Sequence, residues 1–192
     1  ILVIAPKFVA LNVWTTEAEK WDHLNHLTIS VVAGGDPAQR VRALKRQADI
    51  YIINRENVAW MVNHYQSAWP FDMVIIDESS SFKDAQSQRF KALRIVRPLI
   101  SRVVILTGTP APNGLADLWP QLYLLDMGAR LGKTLTAFRE AYLTPDKMNG
   151  PQVLKYKARK GAETEVYDLI GDICISMKAT DYLVLPGRVE HE

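Results

Sequence analysis

Met73-Val74-Ile75-Ile76-Asp77-Glu78 carries the most chemical information in this sequence. An apolar run ending in two adjacent carboxylates places both acids at the carboxyl end of a buried strand, the edge where α/β sheets bind ligands. Nucleotide hydrolysis needs such a pair, one carboxylate to hold hydrated magnesium and the next to orient or deprotonate the attacking water. Taken bare, the same pattern is more often a strand capped by two solvated acids. Its surroundings change that balance. Leu106-Thr107-Gly108-Thr109-Pro110 follows another apolar run, and its two hydroxyls and Gly-Pro bend can hydrogen-bond to the carboxylates and move with them. Ile4-Ala5-Pro6-Lys7 is a third strand ending in a turn, one that presents backbone N–H groups and a cation. Such an edge suits a phosphate of a nucleic acid strand.

The elements that must position these residues are visible as apolar runs at Leu2–Ala5, Ile29–Val32, Ile50–Ile53, Met73–Ile76 and Val103–Leu106. None alternates cleanly with polar residues. The pattern predicts strands buried on both faces, as in a parallel sheet covered by helices. Helical stripes lie between them: Val41, Leu44 and Ala48; Val58, Met61, Val62 and Tyr65; Phe90, Leu93 and Val96. Strand–helix alternation of this kind predicts an open α/β parallel sheet with right-handed crossovers. Beyond Leu106, a helix face of Leu115, Leu118, Trp119 and Leu122 is entered through Asn113-Gly114, and residues 134–143 also have helical spacing. Val166, Leu169, Ile170, Ile173, Cys174 and Met177 form the longest stripe, which predicts a final helix with Cys174 in a core. One domain is expected, with a sheet core over 1–110 and a mainly helical annex over 111–192.

Composition bounds the rest. The 192 residues are 48% hydrophobic and 23% charged, which excludes disorder and fibrous rods. A chain of this length buries on the order of 70% of its unfolded surface. Cys174 is the only cysteine, so neither an internal disulfide nor a cysteine zinc site can form. No apolar run approaches the roughly 20 residues of a membrane span, and the apolar opening lacks the form of a secretory signal. A reducing, cytoplasmic setting is expected. Net charge is only +2, but basic residues crowd the stretch 130–160. Lys155, Lys157, Arg159 and Lys160, with Tyr156 among them, suit a phosphate backbone or equally a solvated loop or hairpin. His23 and His26 have helical spacing but no partners to complete a metal shell. The tryptophans are expected mainly in the core. Ser79-Ser80-Ser81 has no histidine base placed beside it.

The ordered set of an apolar strand into Ala-Pro, a strand into Asp-Glu-Ser-Ser, and Leu-Thr-Gly-Thr-Pro followed by Asn-Gly-Leu-Ala-Asp-Leu-Trp resembles the first RecA-like domain of superfamily 2 helicases. It is most similar to the SWI/SNF-type branch of DNA translocases, in a bacterial or phage-like variant. The similarity covers nearly the whole chain, including Phe138-Arg139-Glu140-Ala141-Tyr142 and a closing Met177-Lys178-Ala179-Thr180-Asp181 with Leu185-Pro186. It implies ATP and magnesium as cofactors, with Asp77 as the magnesium carboxylate and Glu78 as the catalytic base. Ser80 stands where relatives often place His, so coupling to Thr107, Gly108 and Thr109 would run through a shorter hydroxyl. The resemblance sets Pro6 and Lys7 in a DNA-tracking segment and Asn54-Arg55-Glu56 in a second one. Double-stranded DNA and a second RecA-like domain in cis are the implied partners.

Family members also have a phosphate loop, Gly-x-x-x-x-Gly-Lys-Ser/Thr, whose amides and lysine cradle phosphates. Gly128-Ala129-Arg130-Leu131-Gly132-Lys133-Thr134 imitates it but is one residue short and follows the Asp-Glu box. It is expected to be a decoy, with Gly132 marking a turn before the helix at 134. A sequence opening within a strand, without an initiating Met, suggests a segment of a longer protein, inactive alone. The strand at 102–106 would then be an open edge that can pair with another copy. The alternative is a non-hydrolysing nucleic-acid-binding or interaction module that keeps the fold.

Overall fold

The structure, a computed structural model, describes residues 1–177. The closing motif residues from Lys178 onward lie outside them. All five apolar runs form strands: β1 (Leu2–Ala5), β2 (Ile29–Val31), β3 (Ile50–Asn54), β4 (Met73–Asp77) and β5 (Arg102–Leu106). They pair in parallel in the order β2-β3-β1-β4-β5. The expected doubly covered α/β architecture is present.

Strand order dictates where the helices go. From β1 to β2 the chain steps towards one edge, and the next three connections all step the other way. Right-handed crossovers therefore send α1 (Lys7–Glu19) to one face, and α2 (Pro37–Leu44), α3 (Val58–Tyr65) and α4 (Gln88–Val96) to the opposite face. Under α1, Val3, Ala5 and Ile52 pack with Ala10 and Trp14. On the other face Leu2, Ile4, Ile53, Val74 and Ile76 meet Met61 and Val62 of α3 and Phe90 and Leu93 of α4. Truncating a buried aromatic such as Phe90 is expected to cost about 3–5 kcal/mol.

Burial on both faces holds for β1 but not throughout the sheet. In β4, Val74 and Ile76 are fully buried while Met73, Ile75 and Asp77 are half-buried, and Leu106 of β5 is 45% exposed. The cause is topological: with α1 alone on its face, the apolar cluster there reaches Ile75 but does not include Val104 or Leu106. Among the described residues β5 pairs only with β4, so it is an edge strand.

Beyond β5, a 3-10 turn at Leu115–Asp117 leads into α5 (Leu118–Asp126), and the expected face of Leu115, Leu118, Trp119 and Leu122 is buried. Thr134 caps α6 (Leu135–Tyr142), accepting from the Ala137 N–H at 3.1 Å. The region then departs from a mainly helical annex. β6 (Leu143–Asn149) and β7 (Gln152–Ala158) form an antiparallel hairpin before α7 (Ala162–Ile170). Cys174 is not in a core. α7 ends at Ile170 with Gly171 as its cap, so the stripe predicted to run to Met177 is cut short and Cys174 is exposed.

The phosphate-loop imitation is a decoy in structure as well. Asp126 accepts from the N–H groups of Gly128, Ala129 and Arg130 at 2.9, 3.1 and 3.1 Å, so its own carboxylate fills the nest of amides. Gly128 has φ +82°, and a Cβ there would lie 2.5 Å from the Gly132 carbonyl oxygen. Gly132, at φ +89°, forms the bend before α6.

Candidate functional site

Because all five strands run the same way, their carboxyl ends share one edge. Along it the sheet order sets Asn54 at the end of β3, Pro6 after β1, Asp77 and Glu78 at the end of β4, and Thr107 after β5. β1 and β4 are neighbours whose following helices leave to opposite faces. That is a topological switch point, where open α/β sheets form their ligand crevice.

Asp77 lies on the α1 face of the sheet. Its Oδ2 accepts from Trp14 Nε1 at 3.0 Å, while no hydrogen-bond donor reaches its Oδ1 among the described residues. Glu78 begins the turn out of β4 with a left-handed backbone, φ 55° and ψ 61°. A non-glycine residue pays roughly 1–2 kcal/mol in that region, so the surrounding contacts must hold it. Its carboxylate Oε1 accepts from the Ser80 hydroxyl and, at 2.9 Å, from the Thr107 hydroxyl. Thr107 Oγ1 in turn accepts from the Thr109 N–H at 3.1 Å. Asp77, Glu78, Ser80, Thr107 and Thr109 are thus brought together, and the second Glu78 oxygen has no donor among the described residues. Gly108 is exposed, and a Cβ there would meet nothing within 4 Å.

Sequence reasoning missed two members of this cluster. Trp14, expected only as a packing residue, orients the Asp77 carboxylate. Gln121, on α5, is 1% exposed; its Oε1 accepts from Ser79 at 2.7 Å, and its Nε2 donates to the carbonyls of Pro110 at 2.6 Å and Asp117 at 2.8 Å. A polar residue between Leu118, Leu122 and Leu124 on a buried helix face was the available signal.

The nucleic-acid candidates divide. Pro6 caps α1 and Lys7 is exposed in its first turn. Asn54 is 4% exposed, and its amide is committed to the Gly34 N–H, Asn57 and Glu56, so it shapes the loop rather than facing outward. Arg55 is half-buried and bonds to Glu56 at 3.1 Å. Burial pushes the Glu56 carboxyl up, but hydrogen bonds from Asn54, its own backbone and Arg55 outweigh that and hold it below the usual range.

Lys155, Lys157 and Lys160 are exposed. Lys155 stands opposite Lys147 across the hairpin, and Asp146 lies 3.7 Å from both Lys155 and Lys157. Like charges directly opposite destabilise a ribbon, and Asp146 between the lysines offsets part of that repulsion. Arg159 is committed within the chain: its guanidinium donates to both Glu165 oxygens and to the Ala141 carbonyl, closing the hairpin base onto α7. No group of three or more His, Cys, Asp or Glu able to hold a metal occurs among the described residues.

A parallel sheet with adjacent acids and a hydroxyl turn at its switch point places this chain among open α/β domains of the kind that bind ligands at that edge. The chain matches the SNF2-related domain over residues 1–180. It belongs to that family, a SWI/SNF-type branch of superfamily 2 helicases. Protein p41 of Acyrthosiphon pisum secondary endosymbiont phage 1 is 35% identical over 187 residues, covering 94% of this chain and 40% of that protein. The mouse DNA excision repair protein ERCC-6-like is 28% identical over 152 residues, 76% of this chain and 12% of its own length. The solved Sulfolobus solfataricus SWI2/SNF2 ATPase core in complex with dsDNA shares the fold, with a TM-score of 0.63 at 24% identity over 89% of this chain and 32% of that one. This chain therefore spans well under half the length of these relatives.

Proposed function

We propose that the protein containing this domain is an ATP-dependent DNA translocase or helicase whose β4 edge hydrolyses ATP. The observation that carries this is the asymmetry at Glu78: one oxygen is fixed by Ser80 and Thr107, and the other is left to accept a proton from water. Magnesium fits beside it, because that ion takes one or two carboxylates and fills its remaining positions with water and phosphate oxygens. Asp77, anchored through Oδ2 by Trp14, would supply that carboxylate. When bound, the ion offsets charge developing on the transferred phosphoryl group.

Glu78 acts as the base. The Thr107 bond is charge-assisted while Glu78 is ionised and weakens when the carboxylate gains a proton. Chemistry at the end of β4 is thereby felt by the turn after β5. ATP as cofactor follows from family membership, and the dsDNA bound by the Sulfolobus core supports duplex DNA as partner. Pro6, Lys7, Lys155, Lys157 and Lys160 would meet phosphates, with Asn54 and Arg55 shaping a neighbouring loop. A second RecA-like domain in cis would complete the motor, acting in a cytoplasmic setting. No described helix is long and apolar enough to cross a membrane. The 192 residues contain no complete phosphate loop, so this segment alone is proposed to be inactive.

The test compares ATP hydrolysis by the full-length protein with and without duplex DNA, in wild type and Glu78→Gln. DNA-stimulated turnover is expected to fall by about 100-fold or more. Equal turnover in both proteins would reject the reading, whereas DNA-stimulated turnover by the 192-residue segment that Glu78→Gln abolishes would overturn only the inactivity of the segment alone.

A further inference from the structure

We propose that Gln121 is a positioning residue for the β4 carboxylate site, a strut that fixes Glu78 and the Thr107 turn relative to each other; this rests on the hydrolytic reading above. Ser79 directly follows the left-handed Glu78 and is itself 1% exposed. Its hydroxyl donates to Gln121 Oε1 at 2.7 Å, which fixes the direction the chain takes as it leaves Glu78. The same amide donates from Nε2 to the Pro110 carbonyl at 2.6 Å, three residues beyond the hydroxyl that bonds to Glu78. One buried side chain therefore holds the backbone carrying the base and the turn that contacts its carboxylate. Its remaining bond, to the Asp117 carbonyl at 2.8 Å, ties both to the entry of α5. A parallel brace reinforces the link, since Asp117 accepts from the Asn113 N–H at 2.9 Å and lies 3.9 Å from Lys83, downstream of the acidic pair.

The amide is suited to this because it offers an acceptor at one end and two donors at the other, and every polar atom is used. Leucine fills a similar volume but leaves the buried Ser79 hydroxyl without a partner and the Pro110 carbonyl without its tie to α5. Glutamate keeps the acceptor and loses the donors. Its carboxylate would face two carbonyl oxygens, and burial favours the protonated acid, which recovers one donor as the pH falls.

The experiment uses the full-length protein with Gln121→Leu, Gln121→Glu, Ser79→Ala and, as reference, Glu78→Gln, each checked for folding by circular dichroism. Gln121→Leu is expected to lower kcat for ATP by about 10- to 100-fold with KM within twofold, because the loss lies in placing the reacting groups. Gln121→Glu should regain activity on acidification relative to wild type, a pH profile that a merely structural role would not produce. Folded Gln121→Leu with kcat within twofold of wild type overturns the strut, as does a Gln121→Glu profile parallel to wild type. Should Gln121→Leu not fold, Ser79→Ala decides: a fall in kcat of about fivefold or more supports the strut, and a smaller change overturns it. If Glu78→Gln retains turnover, the hydrolytic reading fails and the strut fails with it; if Glu78→Gln is inactive while Gln121→Leu is not, only the strut fails.

Discussion

Trp14 and Asp77 are joined at 3.0 Å, indole N–H to carboxylate oxygen, across the α1 face of the sheet. The helix that leaves β1 beside the DNA-tracking candidates Pro6 and Lys7 is thereby bonded to the acid that ends β4. Trp14→Phe keeps most of the packing and removes the donor. In the full-length protein the magnesium concentration for half-maximal ATP binding should rise about tenfold, with turnover at saturating magnesium little changed. A titration with labelled nucleotide measures it, and an unchanged midpoint would assign Trp14 to packing alone.

The hairpin separates two roles that the basic composition of 155–160 runs together. Lys155→Glu with Lys157→Glu should reduce the salt slope of duplex binding by about 2, one unit for each lost phosphate contact. Arg159→Ala should leave that slope unchanged and lower the melting temperature, because its guanidinium is bound to Glu165 and the Ala141 carbonyl. Affinity measured across a range of salt concentrations distinguishes them.

The same brace predicts a pH response. Hydrogen bonds from Arg159 hold the Glu165 carboxyl below its usual range, outweighing the opposing effect of burial. A depressed folded-state value means that the stabilisation is complete above the unfolded glutamate pKa of about 4.3 and is lost as pH falls through the lower folded value. Glu56 adds to the same limb. Thermal unfolding followed from neutral to acidic pH should show this decline in wild type and a shallower one in Arg159→Ala.

The open edge at β5 predicts self-association of the 192-residue segment. Its half-exposed strand, with Leu106 at its end, offers unpaired backbone groups to another copy. Light scattering should show mass rising with concentration, reduced by Val104→Lys. A monomer at every concentration would contradict it.

The sheet was legible in the sequence because five strands each carry an apolar run, broken only by Ser30 in β2, and the acids were legible because they stand directly behind one. What escaped depended on partners distant in the chain. Gln121 is a polar residue on a helix stripe until Ser79 and Pro110 are brought to it, and Trp14 has the look of any packing aromatic. A hairpin was one reading of the basic run at 155–160, but its first strand was hidden by register shifts between Pro145 and Met148, which break the alternation that marks a strand. Cys174 was misplaced because periodicity continued past Gly171 although the helix did not.

The central claim is that Glu78 performs the proton transfer while Asp77 serves binding, and separating binding from turnover tests it most directly. ATP affinity and single-turnover hydrolysis are to be measured in the full-length protein with magnesium and duplex DNA. Glu78→Gln should bind ATP within about threefold of wild type yet hydrolyse it roughly 100- to 10,000-fold more slowly. Hydrolysis by Glu78→Gln at the wild-type rate would contradict the account.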